Sequence, residues 1–463
     1  MPSAQGKSEL LYPHDSIMPP SKALLAALQQ LVAMFIGCIT PALIFISTVE
    51  LDAGTQRYLI SMSLLTAGVG TFLQARRFGP IGSGLLSVNG TSFAYLDLLL
   101  RAGSEGGLPL AAGMTLAAVP LQFLLAGFLP ALQRVFSPLV AGIVVLLIGL
   151  NLIPVAGHYI ASAPGGGAVD WGTNSLLAGS VIGVLVLTQV IGKPLLRISG
   201  PVLAILLGYA LAAWTGLLSW PDNTASTWLV LPEPLRAGLA FKWELLLPFM
   251  IIYLVSSLEA VGDLTATASL SGMETSSPHF WKRLRGGILS DAITSTLAGL
   301  LSVFPTATFS QNNGVIQLTG VGSRQVGFFV AGLLVLTGLL PVTGLVFTMI
   351  PKPVLGGITL VLFGLIASAG LQMINRLDIG SREMLIIALS LGMAFGIPSQ
   401  ETLVESFPPL LRGITSSPVA TGGLTAVLMS LFFLRGVSRT AAAESAARST
   451  SQATATTTET AKP

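Results

Sequence analysis

Apolar stretches long enough to cross a bilayer follow one another along almost the whole chain, separated by short polar turns. A helix needs about 20 apolar residues to span the hydrocarbon layer, fewer if it is broken. Candidate spans run near 24–47, 57–75, 81–100, 108–132, 135–154, 174–192, 200–218, 244–268, 285–304, 308–321, 326–349, 353–373, 383–398 and 418–434. Only 9% of residues are charged and 52% are hydrophobic, whereas soluble domains carry about 25% charged residues. The fold class expected is therefore an all-α polytopic membrane protein of about 14 segments.

Lys and Arg follow the even-numbered segments: Arg76 and Arg77, Arg134, Lys193 and Arg197, Lys282, Arg283 and Arg285, Arg376 and Arg382, Arg435 and Arg439. The loop 155–172 has none. Basic residues favour the cytoplasmic side, so both termini are expected there, in the inner or plasma membrane, with Arg236 and Lys242 as exceptions. The N-terminal stretch lacks a basic region followed by an apolar core, so the first span is expected to act as the insertion signal. The Ala-, Thr- and Ser-rich tail from Arg439 reads as disordered. No basic cluster interleaved with aromatics is present, which excludes a nucleic-acid partner. The single cysteine, Cys38, excludes an intrachain disulfide and reads as a helix-packing residue.

Two segments break the apolar pattern. Segment 3 carries Ser87, Asn89, Gly90, Thr91 and Ser92; segment 10 carries Ser310, Gln311, Asn312, Asn313 and Gly314. Hydrocarbon satisfies no amide, so such runs must be buried in protein or line a cavity. Amide side chains donate and accept, as the edge of a heterocycle requires. Each broken segment is the third of seven, and interrupted segments at matching positions of two halves point to a transporter's central site.

Glu259 and Asp263 lie four apart in segment 8 and share a helix face. A carboxylate inside a span costs about 2.5–3.5 kcal/mol on insertion scales, so two on one face imply a polar cavity, protonation, or both. Asp291 in segment 9 serves either structure or proton coupling. Asp97 reads as interfacial, Asn151 as a helix-backbone partner, and Gln30 as either a ligand contact or a helix link. His158 and His279 have no metal-like spacing and read as surface residues. The chain has no phosphate loop with its lysine, no His-Glu-x-x-His and no nucleophile elbow. Uptake must then draw on an ion gradient or run downhill.

The stretch Gln311-Asn312-Asn313-Gly314, four residues, then Thr319 and Gly320 resembles the signature of the nucleobase–ascorbate transporter family, in its bacterial xanthine and uric acid permease branch. The likeness extends to ITPALI in segment 1, GSGLLS in segment 3, LEAVGDLTATA in segment 8 and GGILSDA in segment 9. It implies two inverted repeats of seven segments, with short strands ahead of half-helices in segments 3 and 10. It implies a cytoplasmic tail at 1–22, a core domain from 23–133 and 243–350, a gate domain from 134–242 and 351–436, and a second tail at 437–463. Family members are similar in being homodimers.

By the same resemblance, Glu259 would accept N–H bonds from a purine ring and Gln311 would make a two-point contact to it. Asn312 would shape the site, with Ser92, Phe93, Gln30 and Gly314 completing it, and Asp291 and Asp263 would be further essential carboxyls. The coupling ion implied is a proton, with no other cofactor and no metal. Gln30 stands where xanthine-selective carriers have histidine, Ser92 where they have asparagine, and Asn89 where they have glutamine. These smaller side chains leave room for the extra carbonyl of uric acid. Gly320 in place of arginine departs from a uracil-type site. The reading is a proton symporter importing xanthine, uric acid or both. A carrier of another nucleobase or an anion exchanger of related fold is the alternative, and an intramembrane enzyme is a third reading.

Overall fold

The computed structural model describes residues 10–132, 138–162, 170–218, 228–275, 277–375, 377 and 379–433. Arg134, Arg376, Arg435, Arg439 and the tail 437–463 lie outside the described residues, as do residues 1–9 of the expected N-terminal tail.

The first series of elements is α1 (Pro20–Thr48), α2 (Ala53–Ala75), strand β1 (Asn89–Thr91), a single 3-10 turn at Phe93–Tyr95 and α3 (Leu96–Ala118). It continues with α4 (Pro120–Leu132), α5 (Pro138–Ile160), α6 (Trp171–Ile191) and α7 (Pro194–Trp214). The second series is α8 (Trp243–Leu270), α9 (Pro278–Leu300), strand β2 (Thr306–Thr308), α10 (Gln311–Thr319), α11 (Arg324–Leu339), α12 (Pro341–Thr348) and α13 (Lys352–Asn375). It ends with α14 (Ser381–Gly396), α15 (Glu401–Ser406), α16 (Pro409–Thr415) and α17 (Pro418–Phe433). Seven helices among the described residues are long and apolar enough to cross a membrane, and eight if the pair α11–α12 is one span.

Several boundaries have local causes. Proline stands at the start of α1, α7, α9, α12 and α16, where its missing N–H costs nothing. Asp52 caps α2 by accepting from the Thr55 N–H at 3.0 Å. Two expected spans are not continuous. The stretch 108–132 is interrupted at Val119–Pro120, and 326–349 bends by 76° at Pro341. In both, proline interrupts an apolar run that hydropathy alone reads as one segment.

Helix pairs pack backbone to backbone through small residues, as apolar surroundings favour. On α5 and α13 a Cβ added at Gly149 would lie 2.3 Å from the Ala367 nitrogen, and one at Gly370 2.3 Å from the Leu146 nitrogen. The outside carries large apolar side chains in the open, Trp243 at 71% and Phe432 at 70% exposure among them. A water-soluble surface does not tolerate such a skin, whereas lipid does.

Both broken segments become extended backbone at the centre of the bundle. β1 and β2 pair antiparallel, Asn89 opposite Thr308, Gly90 opposite Ala307 and Thr91 opposite Thr306, all six residues buried. The ladder runs on through Ser92 N–H to Pro305 O at 2.9 Å and Phe309 N–H to Val88 O at 3.0 Å. A hydroxyl from the preceding helix stitches each strand. Thr71 of α2 accepts from the Asn89 N–H at 3.0 Å, and Ser295 of α9 accepts from the Thr306 N–H at 3.1 Å. Non-helical backbone is thereby satisfied inside protein.

The N-terminal segment before α1 is built into the bundle. The N–H groups of Leu11 and Tyr12 both donate to Gly320 O, at 2.9 and 3.1 Å, where α10 ends. Gly322 N–H returns a bond to Tyr12 O at 2.8 Å. Gln325 grips the Met18 backbone at both ends, accepting at 2.7 Å and donating at 3.2 Å. These residues form a strap across the α10–α11 junction.

Arg236 and Lys242, the exceptions to the charge pattern, are both paired with acids. Arg236 bonds Glu233 at 3.1 Å and lies over the Tyr58 ring at 4.7 Å. Lys242 bonds Glu105 at 2.7 Å, which holds its ammonium above the usual lysine range, and Glu105 also bonds Arg101 at 2.8 Å.

Candidate functional site

Where the two strands end, each chain direction turns into a helix: β1 into the turn at Phe93 and α3, β2 into α10. The starts of both meet at a cavity of about 410 Å³. Ser92, Phe93, Thr308, Phe309, Ser310 and Gln311 line it from this side and Glu259 from α8. The opposite wall is Val145 and Ile148 of α5 and Ile366 of α13, all apolar.

Four of the expected residues therefore converge: Glu259, Gln311, Ser92 and Phe93. Glu259 and Gln311 are half-buried, so their polar ends are reachable from the cavity. Glu259 has no ion-pair partner among the described residues. Phe93 packs against Phe309 with ring centroids 6.4 Å apart and 25° between planes, and edge-on against Phe363 at 5.8 Å. Ser92 caps the turn after it, its hydroxyl accepting from the Ala94 N–H at 3.3 Å.

The remaining expected residues stand behind or beside that wall. Asn312 is fully buried and turned away from the cavity, its amide donating to Leu86 O at 2.6 Å. Its position ties the first turn of α10 to the segment leading into β1. Asn313 does the same toward α8, accepting from the Thr267 hydroxyl at 2.6 Å. Gln30 is buried in α1 with its Oε1 unpartnered among the described residues. Gly314 is exposed on α10, and a Cβ added there would meet open space, so no steric reason for glycine is visible.

Asp291 sits below β1. Gln74 of α2 and Asn89 of β1 both donate to its Oδ1, at 2.9 and 2.8 Å, and Gln74 also donates to Gly287 O at 2.9 Å. Its Oδ2 is buried without a partner among the described residues. Asp263 lies one turn beyond Glu259 and likewise has a buried, unpartnered Oδ2. Asp97 stands half-buried in the first turn of α3, with the side chains of Ser417 and Asn151 beside its carboxyl. His158 and His279 are exposed in the end turns of α5 and α9.

Sequence reasoning missed Gln74, Thr71, Ser295 and Thr267. Gln74 precedes Arg76 and Arg77 and looks like an interfacial residue at a span end. The three hydroxyl residues look like ordinary members of a helix. Their only signal is polarity within an apolar run.

A second cavity of about 450 Å³ shares Phe309 and Gln311 with the first. Its other walls are apolar, from α1, α6, α7 and α13.

The sequence profile of a permease family matches residues 21–403. The chain is 39% identical over 443 residues to the xanthine permease XanP of Escherichia coli K12, covering 92% of this chain and 95% of the relative. It is 37% identical over 443 residues to the xanthine permease XanQ of the same organism, covering 93% and 95%. Among solved structures, the transmembrane domain of the cyanobacterial bicarbonate transporter BicA superposes with a TM-score of 0.55 at 17% identity, covering 90% of this chain and 99% of that one. That likeness concerns the fold alone.

Proposed function

Because the chain belongs to the nucleobase–ascorbate transporter family, a family of membrane transporters and not of enzymes, we propose that it imports the oxidised purines xanthine and uric acid by proton symport. The chain is a multi-pass membrane protein and a purine-type nucleobase transporter by that membership. Its narrower substrate list, its coupling ion and its mechanism are the proposal.

The observation that carries it is the convergence of Glu259 and Gln311 on one cavity beside Ser92 and Phe93. A carboxylate accepts from ring N–H groups, and a primary amide pairs with a neighbouring carbonyl and N–H. The Phe93 ring offers a flat apolar face for a planar heterocycle. The two helix starts at the cavity bring partial positive charge toward the ligand's carbonyl oxygens. Among the described lining residues there is no Lys, Arg or His, while Glu259 is acidic. A small inorganic anion would meet repulsion there, which disfavours the exchanger reading despite the BicA-like fold.

The coupling ion is a proton, held in turn by Glu259 and the acids behind it. Asp263 and Asp291 each keep a buried oxygen without a partner among the described residues, an open acceptor to which a proton can be added. The chain has fourteen segments in two inverted repeats of seven. Support comes from the parallel construction around β1 and β2, each strand following a helix that stitches it with a hydroxyl. Core (α1–α4 and α8–α12) and gate (α5–α7 and α13–α17) part at the cavity, where the gate side contributes only Val145, Ile148 and Ile366. At the cavity that boundary is apolar, while away from it hydrogen bonds such as Ser47 to Tyr159 at 2.6 Å join the two sides and would have to exchange in rigid-body alternating access. Both termini are cytoplasmic and the working unit is a homodimer.

The test is uptake of radiolabelled xanthine and uric acid into cells lacking their own carriers, with and without a protonophore. Protonophore-sensitive accumulation is expected, and Glu259→Gln is expected to abolish it at normal expression. Normal accumulation by Glu259→Gln would overturn the mechanism, and uptake of neither purine would overturn the substrate.

A further inference from the structure

We infer that Arg77, Arg283 and Arg324 form an anion site for a phosphate group, at the end of the bundle where α2 gives way to the segment before β1. The three arginines come from separate elements: the turn after α2, the first turns of α9 and the start of α11. Gly84, at φ +71°, marks where two of them meet. A Cβ there would lie 2.9 Å from Nη1 of Arg283 and 3.0 Å from Cδ of Arg77.

The charges around this point do not balance. Arg77 and Arg324 are the cations that bear on Arg283, and Asp15 is the acid. Asp15 is shared already, bonding Arg324 at 3.0 Å and His14 at 3.0 Å. Arg283 donates to Ser83 O at 3.3 Å. Nε of Arg77 is shut off from solvent and has no partner among the described residues. Asp15 thus serves both Arg324 and Arg283, and Arg77 beside Arg283 has nothing among the described residues to receive its Nε–H. A guanidinium fork matches phosphate oxygens in two-point geometry, and a phosphate would supply both missing charge and missing acceptors.

The general preference for basic residues at one membrane face explains why arginines occur here. It does not explain their convergence. Arg76, the neighbouring residue, shows the ordinary case: it is exposed and lies over the Phe78 ring at 5.4 Å. The site also touches the substrate cavity's support. Gly84 N–H donates to Gln74 O at 2.7 Å, and the Gln74 side chain holds Asp291.

A phosphate group reaches this end of the bundle either as a lipid headgroup or as a soluble phosphate. The experiment measures the thermal unfolding midpoint of the purified full chain in neutral detergent. It is titrated separately with phosphatidylglycerol, phosphatidylcholine and inorganic phosphate, at constant ionic strength. The variants are Arg77→Gln, Arg283→Gln and Arg76→Gln. The midpoint is expected to rise with phosphatidylglycerol or with inorganic phosphate and not with phosphatidylcholine. Each of Arg77→Gln and Arg283→Gln is expected to weaken that response by about fivefold, the size of one arginine's attraction to an anionic surface. Arg76→Gln removes the same charge and is expected to leave it unchanged. A response to phosphatidylglycerol alone assigns a lipid headgroup, and a response to inorganic phosphate assigns a soluble ligand. Because Arg77 Nε bonds nothing among the described residues, Arg77→Gln remains informative if Arg283→Gln fails to fold. No response to either phosphate source, or equal losses in Arg76→Gln and Arg77→Gln, overturns the site.

Discussion

Replacing Gly90 by alanine tests the construction of the cavity with a single methyl group. Gly90 is the middle residue of β1, opposite Ala307. Its added Cβ would lie 2.6 and 2.7 Å from Cζ and Cε2 of Phe309 and 2.9 Å from the Cys38 sulfur. Carbon atoms pack at about 3.5–4.0 Å, so the ring must retreat by about 1 Å. It has little room on the far side, since a Cβ at Gly37 would already sit 3.0 Å from Cε2 of the same ring. The remaining directions lead into the two cavities that Phe309 lines. Overpacking of this kind costs about 1–3 kcal/mol. Gly90→Ala is therefore expected to lower the unfolding midpoint of the purified protein and to raise KM for xanthine uptake more than it lowers the maximal rate. Phe309→Leu in the same chain should relieve the clash, giving a coupling of about 1–2 kcal/mol in the double-mutant cycle. Additive effects, or a Gly90→Ala protein with wild-type midpoint and KM, would refute the packing argument.

Asn312→Ala is expected to lower the unfolding midpoint, because it strands the buried Leu86 carbonyl at a cost of about 1–3 kcal/mol, whereas Gln311→Ala should leave the midpoint nearly unchanged and remove uptake. Equal loss of midpoint in both variants would contradict their different orientations. Asp291→Asn keeps an oxygen for the Gln74 and Asn89 amides, so detergent stability should hold while protonophore-sensitive accumulation is lost; retained accumulation would make Asp291 purely structural. Gln325→Ala removes both bonds to the Met18 backbone, worth about 2 kcal/mol, and should speed proteolytic cleavage before α1 by about thirtyfold with KM unchanged. Unchanged cleavage would show that the strap is held by its other bonds.

What can be read from the residues alone follows a physical divide. A polar group in an apolar run is visible because burying it is costly, so Glu259 and the broken segments that carry Ser92, Phe93 and Gln311 stand out, and all four residues line the cavity. The direction a side chain takes is another matter. Gln311 and Asn312 are neighbours on a helix and equally polar, yet about 100° of helical rotation turns one to the cavity and the other to the Leu86 carbonyl. Composition has no term for that rotation, and the amide pattern marks both alike. The helix breaks at Pro120 and Pro341 are likewise hidden, because the flanking residues stay apolar and hydropathy averages across them.

The strap is the least legible part, for a reason that also bears on how the site is held. Residues 10–18 fall in the expected cytoplasmic tail and mix apolar with polar side chains without a helical or strand period. Their attachment to Gly320, Gly322 and Ser271 is made by backbone N–H and C=O groups, which every residue but proline carries in full. The same holds for β1 against β2, where the ladder between Asn89 and Thr308 joins residues more than 200 positions apart. Side chains then lock these backbone contacts: Thr71 and Ser295 fix the strands, Asn312 and Asn313 fix α10, and Gln325 fixes the strap. Every one of these bonds lies on the α1–α3 and α8–α11 side of the cavity, and none crosses to Val145, Ile148 or Ile366. The polar half of the site is therefore one continuous hydrogen-bonded unit, whereas its wall toward Val145, Ile148 and Ile366 is held by apolar packing alone.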